Sequence, residues 1–179
     1  MRLRTKDKRM TFEFLPALFA GLAATIVMTA MMTASAKMGL TRMPSMTLVM
    51  GSMMSADSDR AGRIGMMLHY IVTGTVAFGL AYAALFTAFD STSAATGALI
   101  GAVHGLIVGG MALPMMSAIH PRMSAATADG PLVTEEEGKI ALTAPGFFGV
   151  RWGAMTPVGL IVGHVVYGLV AALIYTALV

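Results

Sequence analysis

The 179-residue sequence contains no cysteine, which excludes disulfides, thiolate metal centres and cysteine nucleophiles together. Charge is almost as scarce. Asp, Glu, Lys and Arg make up 12% of the chain, about half the share usual in soluble domains. Aromatic residues reach 7%, with one tryptophan. No GxSxG, Walker-type glycine loop or HExxH occurs, and no apolar run carries a pair of carboxylates, so the sequence leans toward a non-enzymatic role. The formal charge of +3 is concentrated in the N-terminal MRLRTKDKR, where it acts as a topology determinant rather than a nucleic-acid footprint. What remains is apolar: 56% of residues are hydrophobic and the mean hydropathy is +0.76, the composition of an integral membrane protein.

Four apolar runs, at about 14–38, 64–89, 95–118 and 157–179, are each long enough to cross a bilayer. They predict one all-α domain, an integral membrane four-helix bundle in the bacterial plasma (inner) membrane. Ala34-Ser35-Ala36 resembles a signal-peptidase site, but the first run exceeds a signal-peptide core, so an uncleaved anchor is expected. Arg2, Arg4, Lys6, Lys8 and Arg9 flank it, which puts both termini in the cytoplasm and both long loops outside. The short link 90–94 predicts that spans two and three are antiparallel neighbours, and Pro114 predicts a kink in span three. In loop 39–63, Met43, Met46, Met50 and Met53 follow Pro44 at three- and four-residue steps, as on a short interfacial helix with its methionines toward lipid; copper collection is the alternative. Loop 119–154 carries Glu135, Glu136 and Glu137 as a solvated face. Its Phe147, Phe148, Arg151 and Trp152 form an interfacial segment. The two halves of the chain share a weak likeness, each a span, a long loop with Pro, Met and Arg, and a span with a histidine.

Span three holds Gly97, Gly101, Gly105 and Gly109 at strict four-residue spacing. Each glycine costs a helix about 0.5–1 kcal/mol against alanine, so four must be offset by close approach of another helix. His104, Met111 and Met115 border that ribbon by helical angle. Ala20/Ala24, Thr75/Gly79/Ala83 and Gly159/Gly163 add further small-residue rows. This is more close-contact surface than four spans need, and it predicts an accessory or structural subunit of a larger membrane complex, or a homo-oligomer, with the lipid bilayer and other subunits or itself as partners.

Methionine is abundant, at 18 residues, beside four histidines. Several readings of these side chains stand together. Each histidine can satisfy a neighbouring helix. Alternatively, His69, His120 and His164 with Met28, Met31, Met32, Met115 and Met116 supply imidazole and thioether ligands for Cu(I). His69 and His164 at similar depth could hold haem b between them. His104, near mid-span, would serve a proton or ion path in a small transporter. On span four, His164, Tyr167, Gly168, Ala171 and Tyr175 share a face, and on span two His69 shares one with Gly65, Met66 and Thr73.

IVMTAMM in span one, GRIGMMLHYIVTGTVAFGLAYA in span two, the glycine-rich third span and GHVVYGLVAALIY in span four resemble an uncharacterised family of small bacterial four-span membrane proteins, catalogued only as a domain of unknown function. The resemblance covers most of residues 14 to 178. It implies four helices and the two histidine-glycine motifs, His69 to Gly74 and His164 to Gly168, and it brings no activity with it.

Overall fold

The computed structural model describes residues 9–124 and 130–179. The basic residues Arg2, Arg4, Lys6 and Lys8 lie outside that range. The fold is mostly helical. Four helices are long and apolar enough to cross a membrane: α1 (Phe14–Lys37), α3 (Ser58–Ala88), α4 (Ala94–Ile119) and α5 (Thr156–Leu178). A short α2 (Met46–Gly51) lies between the first two.

Local chemistry sets the helix ends. Pro16 sits in the first turn of α1, where its missing N–H costs nothing. Gly39, at φ 73°, closes the other end, with its own N–H donating to the Ala36 carbonyl and that of Leu40 to Ser35. Side-chain oxygens of Ser45, Asp57 and Ser93 accept from backbone N–H groups of Leu48, Arg60 and Thr96 and so cap α2, α3 and α4. Helix α3 is not uniform: Met67–Phe78 is wound as a π-helix, and the Thr75 hydroxyl donates to the Tyr70 carbonyl, 2.7 Å away. A second π-helical turn, Val108–Ala112 in α4, precedes Pro114, which has no N–H to continue the ladder.

Loop 119–154 departs from the all-α expectation. Strands β1 (Met123–Ser124), β2 (Val133–Glu136) and β3 (Lys139–Thr143) form a sheet in the order β1-β3-β2, parallel then antiparallel. The β2–β3 hairpin turns through Glu137 and Gly138, both at positive φ (50° and 71°), the two-residue geometry whose twist matches the strands. Alternation in β3 buries Ile140 and Leu142 while Lys139 and Ala141 face out. Glu135, Glu136 and Glu137 are exposed, and Phe147–Trp152 forms a 3-10 turn with Trp152 buried.

Helix α5 packs against both α1 and α4, and α1 packs against α3. The α4–α5 seam is the glycine row. A Cβ added at Gly97 would strike the Gly168 carbonyl and one at Gly101 the His164 carbonyl, while Gly105 and Gly109 face Ile161 and Phe148. On the α1–α3 seam a Cβ at Gly21 would lie 2.6 Å from both the Gly74 oxygen and the Gly79 Cα. These rows are thus consumed within the chain. Spans two and three, expected to be neighbours, touch only sparsely: no small-residue row joins them, and Leu85, Leu99, Val103 and Ile107 line a cleft of about 670 Å³ between them. Two buried clusters divide the molecule, one around Tyr82, Phe86, Tyr167 and Tyr175, the other around Val49, Leu113, Leu142 and Trp152 at the loop end.

Candidate functional site

Between the two clusters lies a cavity of about 130 Å³. Helix α1 contributes Thr25, Met28, Thr29 and Met32 to its wall. The π-helical part of α3 contributes His69, Thr73, Gly74 and Phe78, α4 contributes His104, Val108 and Leu113, and α5 contributes Leu160, His164 and Tyr167. The segment entering α2 and α2 itself close it with Met43, Met46 and Met50, beside Trp152. Three imidazoles and five thioethers therefore share one wall that, among the described residues, includes no carboxylate.

Each histidine is held differently. The Nδ1 of His164 lies 2.7 Å from the Leu160 carbonyl one turn earlier. A carbonyl only accepts, so Nδ1 carries the proton and Nε2 keeps its lone pair in the neutral ring. His104 meets the Tyr82 hydroxyl through Nδ1 at 3.1 Å, while its Nε2 is buried without a partner. The two rings stand edge to face, with centroids 4.5 Å apart. His69 meets the Thr29 hydroxyl through Nε2 at 2.9 Å. Tyr167 reaches across to donate to the Gly74 carbonyl at 3.0 Å, inside the π-helical stretch. That contact fixes the wall where α3 departs from regular winding.

The other sequence-derived candidates fall elsewhere. His120 is buried at the loop end and lines no part of the cavity. Its Nδ1 accepts from the Arg122 N–H at 3.1 Å, so Nε2 is left to donate to the Val49 carbonyl at 2.9 Å. With both nitrogens engaged it ties the loop to α2, alongside the Arg122 guanidinium, which donates to the Ser52 carbonyl. Met115 is 54% exposed and Met111 61% exposed, on the outer side of α4, and Met116 packs into the loop-end cluster. Met111 and Met115 thus leave the edge of the glycine row, and His104 alone keeps its place there. Met31 lines a smaller adjoining cavity with Met32 and Met43. Of the four loop methionines expected to face lipid, Met43, Met46 and Met50 instead face the cavity, while Met53 is exposed; their three- and four-residue spacing was the signal available in the sequence.

Size and donor chemistry limit what fits. An engineered cavity of about 150 Å³ takes one benzene, so about 130 Å³ is far too small for a porphyrin between His69 and His164. Among the described residues no group of three or more His, Asp or Glu is placed to hold a metal ion. A metal here would have to be one that accepts thioether sulfur. Comparison with known proteins finds no matching family model, no similar curated protein and no similar solved structure.

Proposed function

We propose that this chain is a multi-pass membrane protein that binds Cu(I) in the methionine-histidine cavity. The observation that carries the reading is the convergence of Met28, Met32, Met43, Met46 and Met50 with His69, His104 and His164 on one small wall. Thioethers are soft ligands that select Cu(I) over the harder divalent ions, and imidazole suits copper as well. The absence of carboxylates from that wall points the same way. An ion in an apolar site pays a large desolvation cost, and a monovalent ion pays less than a divalent one. The Leu160 carbonyl beneath His164 is the kind of outer partner that orients a ligating imidazole. If Tyr82 accepts from Nδ1 of His104, that ring offers a second Nε2 lone pair.

The positive-inside rule applied to Arg2, Arg4, Lys6, Lys8 and Arg9 puts both termini in the cytoplasm of a bacterial cell and the cavity in the outer half of the membrane. The test is equilibrium competition. The reduced, full-length protein in detergent micelles is expected to withdraw one Cu(I) per chain from its bicinchoninate complex, and the double variant H104A/H164A is expected to withdraw none. Failure of the wild-type protein to take copper would overturn the reading.

A second reading, an assembly subunit, is favoured by the cleft between α3 and α4. Its wall is apolar, Leu99 within it is 67% exposed, and among the described residues α3, α4 and the link joining them alone line it. Because the chain has no cysteine, Leu99→Cys reports cleanly: cross-linked dimers in native membranes would support self-association, and their absence would count against it.

A further inference from the structure

Among the described residues, three buried side-chain polar atoms have no hydrogen-bond partner: His104 Nε2, Thr41 Oγ1 and Thr156 Oγ1. Buried polar groups are nearly always satisfied, so each such atom calls for an explanation. His104 lines the copper cavity. The two hydroxyls line the smaller cavity, of about 70 Å³, that shares Met32, Met43 and Leu160 with it. All three unsatisfied atoms therefore lie on the walls of two adjoining cavities.

The smaller cavity is built differently from the larger one. Three thioethers, Met31, Met32 and Met43, stand beside the hydroxyls of Thr41 and Thr156, and no histidine among the described residues takes part. Thr156 is 2% exposed, whereas Ser35 and Met31 on the same wall are half-buried and Val162 is exposed. One side thus lies toward the surface at the loop end, and the other is shared, through Met32, Met43 and Leu160, with the histidine cavity. The volume exceeds the roughly 30 Å³ that one water occupies in the liquid. Hydroxyl oxygens can replace part of an ion's hydration while thioethers take its soft face.

We propose that this smaller cavity is a second Cu(I) site, a station at which the incoming ion exchanges water for Met31, Met32 and Met43 before passing the shared pair Met32 and Met43 into the histidine cavity. No bond to carbon forms or breaks and the copper stays Cu(I) throughout; only its ligands change. The proposal rests on the copper reading above and adds the direction and order of loading.

The test uses full-length protein in nanodiscs under reducing conditions. It follows the rate of Cu(I) transfer from the bicinchoninate complex, the final copper content and the thermal unfolding temperature. Met31→Leu touches the small cavity alone and keeps the side-chain volume. It is expected to slow loading by about tenfold, the effect of about 1.4 kcal/mol at the crossing, with the final copper content unchanged. Thr156→Val keeps the shape of the side chain but removes an unsatisfied hydroxyl. It is expected to raise the unfolding temperature and yet slow loading, a combination that a merely structural threonine cannot give. Wild-type rates in both variants, with copper content intact, would overturn the loading station and leave the histidine site standing. Loss of the final copper content in Met31→Leu would also overturn it, by making Met31 a ligand of the deep site. A wild-type protein that takes no copper would overturn both.

Discussion

At the scale of single residues, the four histidines show how much of the site depends on which hydrogen bond each ring makes. His164 and His120 are both deeply buried, at 5% and 3% exposure, yet only His164 keeps a nitrogen free, because a carbonyl occupies one side of its ring and nothing among the described residues occupies the other. His120→Ala should therefore destabilise the protein by about 1–3 kcal/mol, the cost of stranding the Arg122 N–H and of leaving the Val49 carbonyl with the Ser52 hydroxyl as its remaining side-chain donor. It should leave the copper content unchanged, a pairing that denaturant unfolding and metal analysis together check. The helical count sets His164 on a shared face with Tyr167, Gly168, Ala171 and Tyr175, but it supplies no face for His120, which follows the end of its span. On span two the same count groups His69 with Gly65, Met66 and Thr73: His69 and Gly65 are buried and Thr73 lines the cavity beside His69, while Met66 is exposed. On α5, which is regular throughout, the face His164, Tyr167, Gly168, Ala171 and Tyr175 is buried as the same count gives.

At the scale of elements, glycine decides which helices touch. The row in α4 was legible because a four-residue repeat of Gly97, Gly101, Gly105 and Gly109 has few uses other than close approach. Its partner was not legible, since the row carries no mark distinguishing α5 from α3. The short link 90–94 suggested α3, but Leu85, Leu99 and Ile107 hold those helices apart while Gly168 receives Gly97. The sheet in loop 119–154 was missed because its turn is Glu-Gly rather than Asn-Gly or Asp-Gly, and its strands are no longer than five residues. Two alanine substitutions test the packing account in opposite directions. At Gly101 a Cβ meets the His164 carbonyl, so Gly101→Ala should cost at least the 1–3 kcal/mol typical, at about that order, of overpacked cores. At Gly62, inside α3, an added Cβ would meet nothing among the described residues within 4 Å, so Gly62→Ala should stabilise by about 0.5–1 kcal/mol. Thermal unfolding in one detergent compares them; equal shifts would contradict the account. Because His164 sits on the seam, Gly101→Ala should also weaken copper binding.

At the scale of the whole molecule, the four apolar helices surround a site that only their joint arrangement creates. No single span contains a recognisable ligand set. Met28 and Met32 come from α1, His69 from α3, His104 from α4, His164 from α5, and Met43, Met46 and Met50 from α2 and the segment leading into it. The sequence suggested soft ligands gathering at one end of the bundle. It could not give the membership, because that requires knowing that α2 folds inward over the bundle. Gly51 and Gly65 bring α2 and α3 into backbone contact, and this draws the α2 methionines away from lipid. The molecule thus has a packed seam on one side, an apolar cleft on the other, and a neutral, sulfur-rich cavity between its two cores. Copper-edge X-ray absorption of the full-length protein, reconstituted with one equivalent of Cu(I), tests this directly. A first shell containing both sulfur and nitrogen in the wild-type protein, with no copper shell formed by H104A/H164A, is the result expected. A shell of oxygen and nitrogen alone, or one unaltered by that double substitution, would contradict it.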